Sequence, residues 1–562
     1  MSGDFPVPLL LIIGAAFVPL LRGRARAALT LLLPLLTFGL VLALPHGSHG
    51  HVDLLGAQLV LMRVDKLSLL FSYVFLLATL LAAIYALHEE NVAQQAATLV
   101  YAGSALGAIF AGDLLTLFVY LEIAAVSSVI LVWARRTGAS FSAGMRYLVV
   151  QLAAGMLLLA GIAVRVTAGD GIAFDHIGLE GAGGWLILLG LGIKCAFPLL
   201  HNWLQDAYPE ATATGTVVLS AFTTKIGIYA LARGFAGEDL LIYVGTAMAA
   251  FPIFYAVIEN DLRRVLAYSM NNQLGFMVVG VGIGSELALN GAVAHAFADI
   301  LFKGLLFMSM GAVLFRTGTV KGSELGGLYK SMPWTTGFCI VGAASISAFP
   351  LFSGFVTKSM IMSAAAGEGH LLVWLVLLFA SAGVFHHAGI KIPYFAFFAH
   401  DSGIRCREAP TSMLVAMAAA AALCIAIGCA PGLFYQLLPH SVDYAPYTPT
   451  HILDQVQLLV FSALAFAVLM RTGIYPPELK SVNLDSDWTY RRLLPALATA
   501  IGCAYNYVAG AIAPAVQSLR ATAGRFGALH QHGGILARTW STGGTALWMM
   551  LLLLVYLIEY LF

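Results

Sequence analysis

The sequence predicts an all-α polytopic membrane protein of about 14–16 transmembrane helices, arranged as two inverted five-helix repeats with broken seventh and twelfth helices. Three observations carry this prediction. The 562 residues are 60% hydrophobic and only 10% charged, more apolar surface than a soluble core of this size needs. Apolar runs of roughly 20 residues, the length that crosses about 30 Å of hydrocarbon, recur along the whole chain. Basic residues also collect on one side of the connections between those runs.

Taken in order, the runs lie near 5–21, 28–44, 67–87, 95–111, 114–133, 146–166, 183–200, 211–233, 239–258, 263–283, 288–315, 335–360, 370–399, 411–437, 453–470 and 543–562. The first lacks a basic start and is followed by Arg22, Arg24 and Arg26, so it reads as a retained helix and not as a cleaved signal. With the N-terminus outside, the inner connections hold twenty basic residues, among them Arg135, Arg263, Arg316 and Arg405. The outer side holds four: Arg63, Lys66, Arg165 and Arg233. That bias supports the segment order and the orientation together.

Two regions depart from the simple pattern. Pro198 falls inside the seventh run and Pro350 inside the twelfth. Proline frees backbone groups, which a membrane tolerates where protein or a wet cavity satisfies them. Broken helices five segments apart point to two related units, and an odd number of helices per unit makes them inverted. The predicted organisation is therefore residues 1–94 as N-terminal helices, 95–234 and 235–400 as the two repeats, and 401–470 as further spans. A connection at 471–542 on the cytoplasmic side and a last span at 543–562 follow. Within that connection, 494–516 is apolar and rich in Ala and Gly between Arg492 and Arg520. It reads either as a lateral amphipathic helix on the membrane surface or as an extra span or tail.

The candidate functional residues are charges set deep in these runs, where ionisable groups are costly and usually serve function. Glu122 stands about nine residues from either end of the fifth run, where a lone carboxylate would be neutral unless a cation lies near. Lys194 in the seventh run matches it in depth. Lys225 in the eighth has Thr223 and Thr224 as polar neighbours. The eleventh run adds His295, Asp299 and Lys303, spaced by four residues and therefore on one helical stripe. Lys358 lies beyond the Pro350 break. His387 and Lys391 lie towards the inner third of the thirteenth run, where Lys391 either joins the line or reaches the inner headgroups. Each charge read alone is equally a structural pair that fixes helix packing. A lateral line of lysines with occasional acids is what a proton path needs, because each group can hold and release a proton at a cost its neighbours adjust.

Other chemistry is not suggested. The six cysteines form no C-x-x-C pair, so no disulfide framework, metal site or cluster is read, and no cofactor is expected. No basic patch with interleaved aromatics points to nucleic acid. No cluster of buried oxygen ligands is evident, so Na+ involvement cannot be read from the residues.

Several stretches resemble a known family: DLLTLFVYLEI around Glu122, GIKCAFPLLHNWLQDAYPEA followed by TTKIGIYALAR, NDLRRVLAYSMNNQLGFM, HAFADILFKGLLFMSMG, and LGGLYKSMPWTTGF leading into SAFPLFSGFVTK. Over roughly residues 65 to 435 the chain resembles the antiporter-like subunits of Mrp-type Na+/H+ antiporters, respiratory complex I and membrane-bound hydrogenases. The DAYPEA form at Asp206 to Ala211 is most similar to the antiporter D subunit. The resemblance implies that Glu122 and Lys194 form an ion pair gating proton uptake. It also implies that Lys225, His295 and Lys303 form a central relay, and that Lys358 is the exit-side lysine. Asp299 stands where many members have histidine, and ATATGTVV replaces the usual Pro-rich turn before the eighth helix. The connection after the fifteenth run resembles, in layout, the lateral-helix extension of the largest complex I arm subunit. The implied partners are other membrane subunits of an antiporter or energy-converting complex, with protons as the moved ion, in the lipid bilayer of the bacterial inner membrane. Three rival roles are a redox subunit, for which heme-ligand pairs and cluster cysteines are lacking, a scaffold whose charges only hold neighbours, and a self-sufficient transporter.

Overall fold

The computed structural model describes residues 6–54, 56–479, 483–530 and 541–561. Helix starts are set by side chains at the ends of the connections. Asp65, Asn91, Asp113, Thr137, Asp261, Ser285 and Thr448 each accept from a backbone N–H of the first turn. They open α3 (Lys66–Tyr85), α4 (Val92–Phe110), α5 (Leu114–Trp133), α6 (Gly138–Ala168), α12 (Leu262–Ile283), α13 (Glu286–Thr317) and α20 (Pro449–Thr472). Gly169, Gly284, Gly318 and Gly473, all at positive φ, close α6, α12, α13 and α20. Among the described residues twelve helices are long and apolar enough to cross a membrane. The protein is a multi-pass, all-α membrane protein.

The first predicted span is shorter than expected. It comprises α1 (Pro8–Ala15) and a single tight turn at Val18–Leu20, where Pro19 cannot continue the helical ladder. After α2 (Gly23–Leu42) comes an antiparallel hairpin, β1 (Gly47–Leu54) and β2 (Ala57–Val64), which the helical pattern of the sequence does not announce. It is pinned to the start of α5: Val60 N–H donates to the Asp113 carboxylate at 2.8 Å, and Gly112 N–H donates to the Val60 carbonyl at 2.9 Å.

Both proline breaks are present and use one device. The seventh run is α7 (Ala182–Lys194), then a turn, then α8 (Asn202–Ala207). The twelfth is α14 (Pro333–Ile346), a turn, and α15 (Ser353–Gly367). The two turns share the tetrapeptide Ala-Phe-Pro-Leu, at 196–199 and 348–351. Ala196 and Ala348 have φ of 58° and 57°, and Leu199 and Leu351 have φ of 69° and 75°. Phe197 N–H reaches back to the Gly192 carbonyl at 2.9 Å, and Phe349 N–H to the Ala344 carbonyl at 3.0 Å. These are Schellman closures with alanine in the left-handed position that glycine normally fills, each costing about 1–2 kcal/mol relative to glycine.

The eighth run, expected to be one helix, has a break of its own at Phe222 (ψ −70°), between α9 (Gly215–Ala221) and α10 (Thr223–Gly234). After α11 (Asp239–Ile258) come α12 and α13, and almost every residue in the central stretch of α13 is buried. His295, Asp299 and Lys303 therefore face protein, not lipid. The thirteenth run is α16 (Leu371–Val384), a π-helical turn at Phe385–Ile390, α17 (Lys391–Pro393) and a second π-helical turn at Tyr394–Phe398. Widened turns of this kind often mark functional positions. Helices α18 (Thr411–Cys429) and α19 (Pro431–Tyr435) precede α20.

Residues up to Asn483 form one compact unit, and Leu484 onward form a second. In the second unit the stretch read as helical over 494–516 is longer than expected: α21 (Leu494–His530) runs for 37 residues with Pro514 inside it. That is about 55 Å, well beyond what crossing the hydrocarbon requires. The unit ends with α22 (Thr542–Leu561).

Candidate functional site

The break at Phe222 sets up the centre of the site. It frees the carbonyl of Ser220, and Lys225, in the first turn of α10, donates to that oxygen at 3.1 Å. The same ammonium lies 2.7 Å from Oδ2 of Asp299 on α13, and neither side chain has any exposure. At that distance the two groups form a buried ion pair. Asp299, the position that departs from the family pattern, thus supplies the buried counter-charge of Lys225. Beside it, Thr223 N–H donates to the Tyr101 hydroxyl at 3.0 Å.

One turn along α13, His295 is held at both ring nitrogens. Nε2 lies 3.1 Å from Oε1 of Gln273 on α12, and Nδ1 lies 3.0 Å from the Thr357 hydroxyl on α15. That hydroxyl also lies 3.1 Å from the Ser353 carbonyl. When the imidazole is neutral, Nε2–H donates to Gln273 and the hydroxyl donates to Nδ1. When it is charged, both ring N–H groups donate and the hydroxyl turns to Ser353. One rotating hydroxyl lets the same cage hold either protonation state. Gln273 is in turn fixed by Asn272, whose oxygen accepts from its amide at 2.7 Å.

Lys303 and Lys358 are held by backbone oxygens. Lys303 donates weakly to the Leu266 carbonyl at 3.4 Å, and Lys358 to the Ile346 carbonyl, freed by the second break, at 3.1 Å. Lys358 also stands 5.0 Å above the Phe276 ring. Lys391 does not reach for headgroups, the alternative left open by its depth. Its ammonium caps α11, donating to the carbonyls of Ala256, Val257 and Glu259 at 3.2, 2.6 and 2.7 Å. It also pairs with Glu478 at 2.9 Å, both groups being buried. Burial raises the Glu478 carboxyl above its ordinary value, and the Lys391 ammonium works against that rise. Glu478 is not legible in the sequence, because it lies in a polar connection far along the chain. His387 is fully buried on the π-helical turn that precedes Lys391.

Glu122 and Lys194 do not meet as the resemblance implies. Lys194 donates to Oε1 of Gln151 on α6 at 3.2 Å, and Glu122, half-buried, packs against Gly155 on the same helix with Oε1 unpartnered. Both carboxylate and ammonium face α6, whose Gln151 and Gly155 are one turn apart, and the two charges still act on each other. The cause is the small side of α6: glycine at 155 leaves the carboxylate a seat away from the lysine.

The segment between α8 and α9 is anchored by charges that show in the sequence only as a family signature. Arg146 grips Asp206 with two bonds, 2.6 and 2.9 Å, and Arg135 pairs with Glu210 at 3.2 Å. Arg263, fully buried, donates to the carbonyls of Pro209, Tyr208, Ala211 and Thr212 at 3.1 to 3.3 Å. A cavity of about 430 Å³ opens among α2, α3, α4 and α9, lined by Arg24, Arg26, His88, Glu89, Thr98 and Thr214 among others. Thr98 lies one turn before Tyr101, so this cavity approaches the Lys225 centre.

With this geometry in place, comparison with known proteins is specific. Residues 111–385 match the family described as NADH:quinone oxidoreductase/Mrp antiporter, TM. Hydrogenase-4 component B of Escherichia coli is 27% identical over 416 residues, covering 65% of this chain and 62% of that protein. The D subunit of the Na(+)/H(+) antiporter of Alkalihalophilus pseudofirmus is 29% identical over 312 residues, 50% of this chain and 62% of that protein. The chain thus spans about three-fifths of the length of these curated relatives. In fold it is similar to a chain of the Mrp complex from a Dietzia species, at TM-score 0.68 and 22% identity over 82% of this chain and 99% of that one. Respiratory complex I from Thermus thermophilus gives TM-score 0.67 at 22% identity, over 81% and 99%. Over residues 111–385 the chain is thus similar to the antiporter-like transmembrane family shared by NADH:quinone oxidoreductases and Mrp antiporters.

Proposed function

We propose that this chain is a proton-translocating antiporter-like membrane subunit, most like the D subunit of Mrp-type monovalent-cation/proton antiporters. The observation that carries this reading is the fully buried pair of Lys225 and Asp299, flanked on α13 by a histidine caged for both protonation states. A charge pair kept there only for packing would be better replaced by apolar residues, since desolvation offsets most of its attraction.

In this mechanism the arrangement of Glu122 and Lys194 is the open state of a gate. When Glu122 swings to Lys194 it favours the charged lysine; when it returns to its seat at Gly155, Lys194 loses that support and releases its proton towards Lys225. Asp299 holds the proton at Lys225 until a second charge arrives, and His295 and Lys303 carry it on to Lys358. The cavity below Thr98 supplies water from the inner side, with the N-terminus outside and the bacterial inner membrane as the setting. Lys391, tied to Glu478, stands beside the line and sets its field. Lys194→Ala and Glu122→Gln are expected to lower proton uptake into vesicles at least roughly tenfold, in the range of a lost acid–base group. Unchanged uptake in both variants sinks the reading.

The seat of Glu122 gives a subtler prediction. A methyl group on Gly155 would overlap its carboxylate, whereas one on Gly138 meets open space. Gly155→Ala is expected to shift the gate and slow vesicle uptake several-fold while Gly138→Ala does not; equal rates would show that the seat is irrelevant.

Partners are other membrane subunits. A second assembly is favoured by one observation: the match to hydrogenase-4 component B runs over 416 residues, further than the match to the antiporter D subunit. In that case the chain moves protons within a redox-driven complex. Isolation of the native protein separates the two by what accompanies it: small antiporter subunits, or cluster-bearing ones.

A further inference from the structure

Helix α20 grips the second helix break. Gln455 donates to the Ser347 carbonyl at 3.1 Å, and Leu351 N–H donates to the Tyr447 hydroxyl at 3.2 Å. The ring of His451 lies against that of Phe355, with centroids 4.4 Å apart and planes 19° from parallel. Nδ1 of His451 is 2.6 Å from the Pro446 carbonyl. A carbonyl only accepts, so Nδ1 carries the proton and the neutral ring keeps its lone pair on Nε2. Stacking and hydrogen bond together fix both the tautomer and the direction of that lone pair.

Nε2 has no protein partner among the described residues. His451, Asp454, Gln455 and Leu458, one face of α20, line a cavity of about 180 Å³ whose opposite wall includes Lys358 and Ser359. This is room for several waters, and although much of the lining is apolar, Ser359, Ser363, Ser381 and Gln455 offer them hydrogen-bond partners. Asp454 makes no ion pair or hydrogen bond among the described residues, although a lysine shares its cavity. From α16 the wall is Trp374, Leu378 and Ser381, so Lys358, His451 and Asp454 are the titratable groups facing this space.

We infer that His451 and Asp454 form the release site of the proton path, taking the proton from Lys358 through cavity water and passing it to the outer side. The inference rests on the proposed path. In the transfer an N–H bond of the Lys358 ammonium breaks, water relays the proton, and an N–H bond forms at Nε2 of His451 or an O–H bond at Asp454. That bond then breaks to water, leaving Lys358 neutral and the acceptors as they began. Lys358 keeps its hydrogen bond to the Ile346 carbonyl throughout, so release needs no movement of the helix break. The site lies on α20, beyond the helices that carry the rest of the line.

The test uses the intact complex in proteoliposomes and measures proton transport for Asp454→Asn, His451→Gln, the double variant and Lys358→Ala. Each single variant is expected to slow transport several-fold and the double variant roughly tenfold or more. An impermeant buffer on the release side is expected to restore much of the double variant's rate, because a mobile base replaces the missing acceptors. A structural role would not respond to buffer. Asp454→Asn keeps the side-chain volume of a surface position, so it carries the test if loss of the His451 stacking prevents assembly. A double variant that transports at the parent rate while Lys358→Ala is blocked overturns the release site and leaves the path standing. Full transport by Lys358→Ala overturns the path itself.

Discussion

Asp299→Asn is expected to reduce proton transport in proteoliposomes by more than about tenfold while the protein still folds and assembles. The carboxylate lies 2.7 Å from the Lys225 ammonium in a site without exposure. Removing one member of a buried pair and leaving the other charged costs on the order of 3–5 kcal/mol, but lysine escapes that cost by giving up its proton. The amide variant therefore keeps its shape and loses its stored proton. Lys225→Met combined with Asp299→Leu should be at least as stable as the parent to thermal unfolding in detergent, because no charge then has to be desolvated, and equally inactive. A stable and fully active double variant would reduce the pair to a packing device.

Arg263→Ala is expected to produce a larger loss of stability than removal of any of the buried lysines. The guanidinium bonds four carbonyls between Tyr208 and Thr212 with no exposed surface. Its removal leaves the Ala211 oxygen unpaired among the described residues and takes one bond from each of the other three, which keep Arg135 or Thr216 as partners, a cost on the order of 3 kcal/mol. Lower membrane abundance and a clearly lowered unfolding temperature in detergent are the measurements. Arg263→Lys should recover only part of the loss, since an ammonium cannot reach several carbonyls with a fixed planar fork. An unfolding temperature for Arg263→Ala equal to that of the parent would show that water replaces the guanidinium.

What the sequence reveals and what it hides have physical reasons. Pro198 and Pro350 announce their breaks because proline cannot donate to the helical ladder. The break at Phe222 carries no such mark; its only trace is the polar pair Thr223 and Thr224 beside a lysine. Depth in a span can be counted along the chain, which is how Glu122, Lys194, Lys225, His295, Lys303 and Lys358 stand out. Direction around a helix cannot be counted across loops, so Asp299 as the partner of Lys225, Gln151 as the partner of Lys194, and Glu478 as the partner of Lys391 all come from the structure. The β1–β2 hairpin is hidden because Met62 and Val64 alternate with Arg63 over too few residues to stand out beside the long apolar runs. The acceptors on α20 are hidden because His451 and Asp454 sit near the start of a span, where polar residues are ordinary.

The contact between Lys391 and Glu478 has a consequence for the order in which the chain can be built. Residue 391 emerges from the ribosome 87 positions ahead of residue 478. A cation is thus delivered to the membrane before its counter-charge has been synthesised. The carbonyls of Ala256, Val257 and Glu259, already in place at the end of α11, are there to receive it, and they hold it by dipoles alone. Glu478 arrives later and completes the neutralisation. The connection after α20 therefore acts as a latch on a body laid down before it, and in a chain stopped short of residue 478 backbone dipoles alone would hold the Lys391 ammonium against loss of its proton.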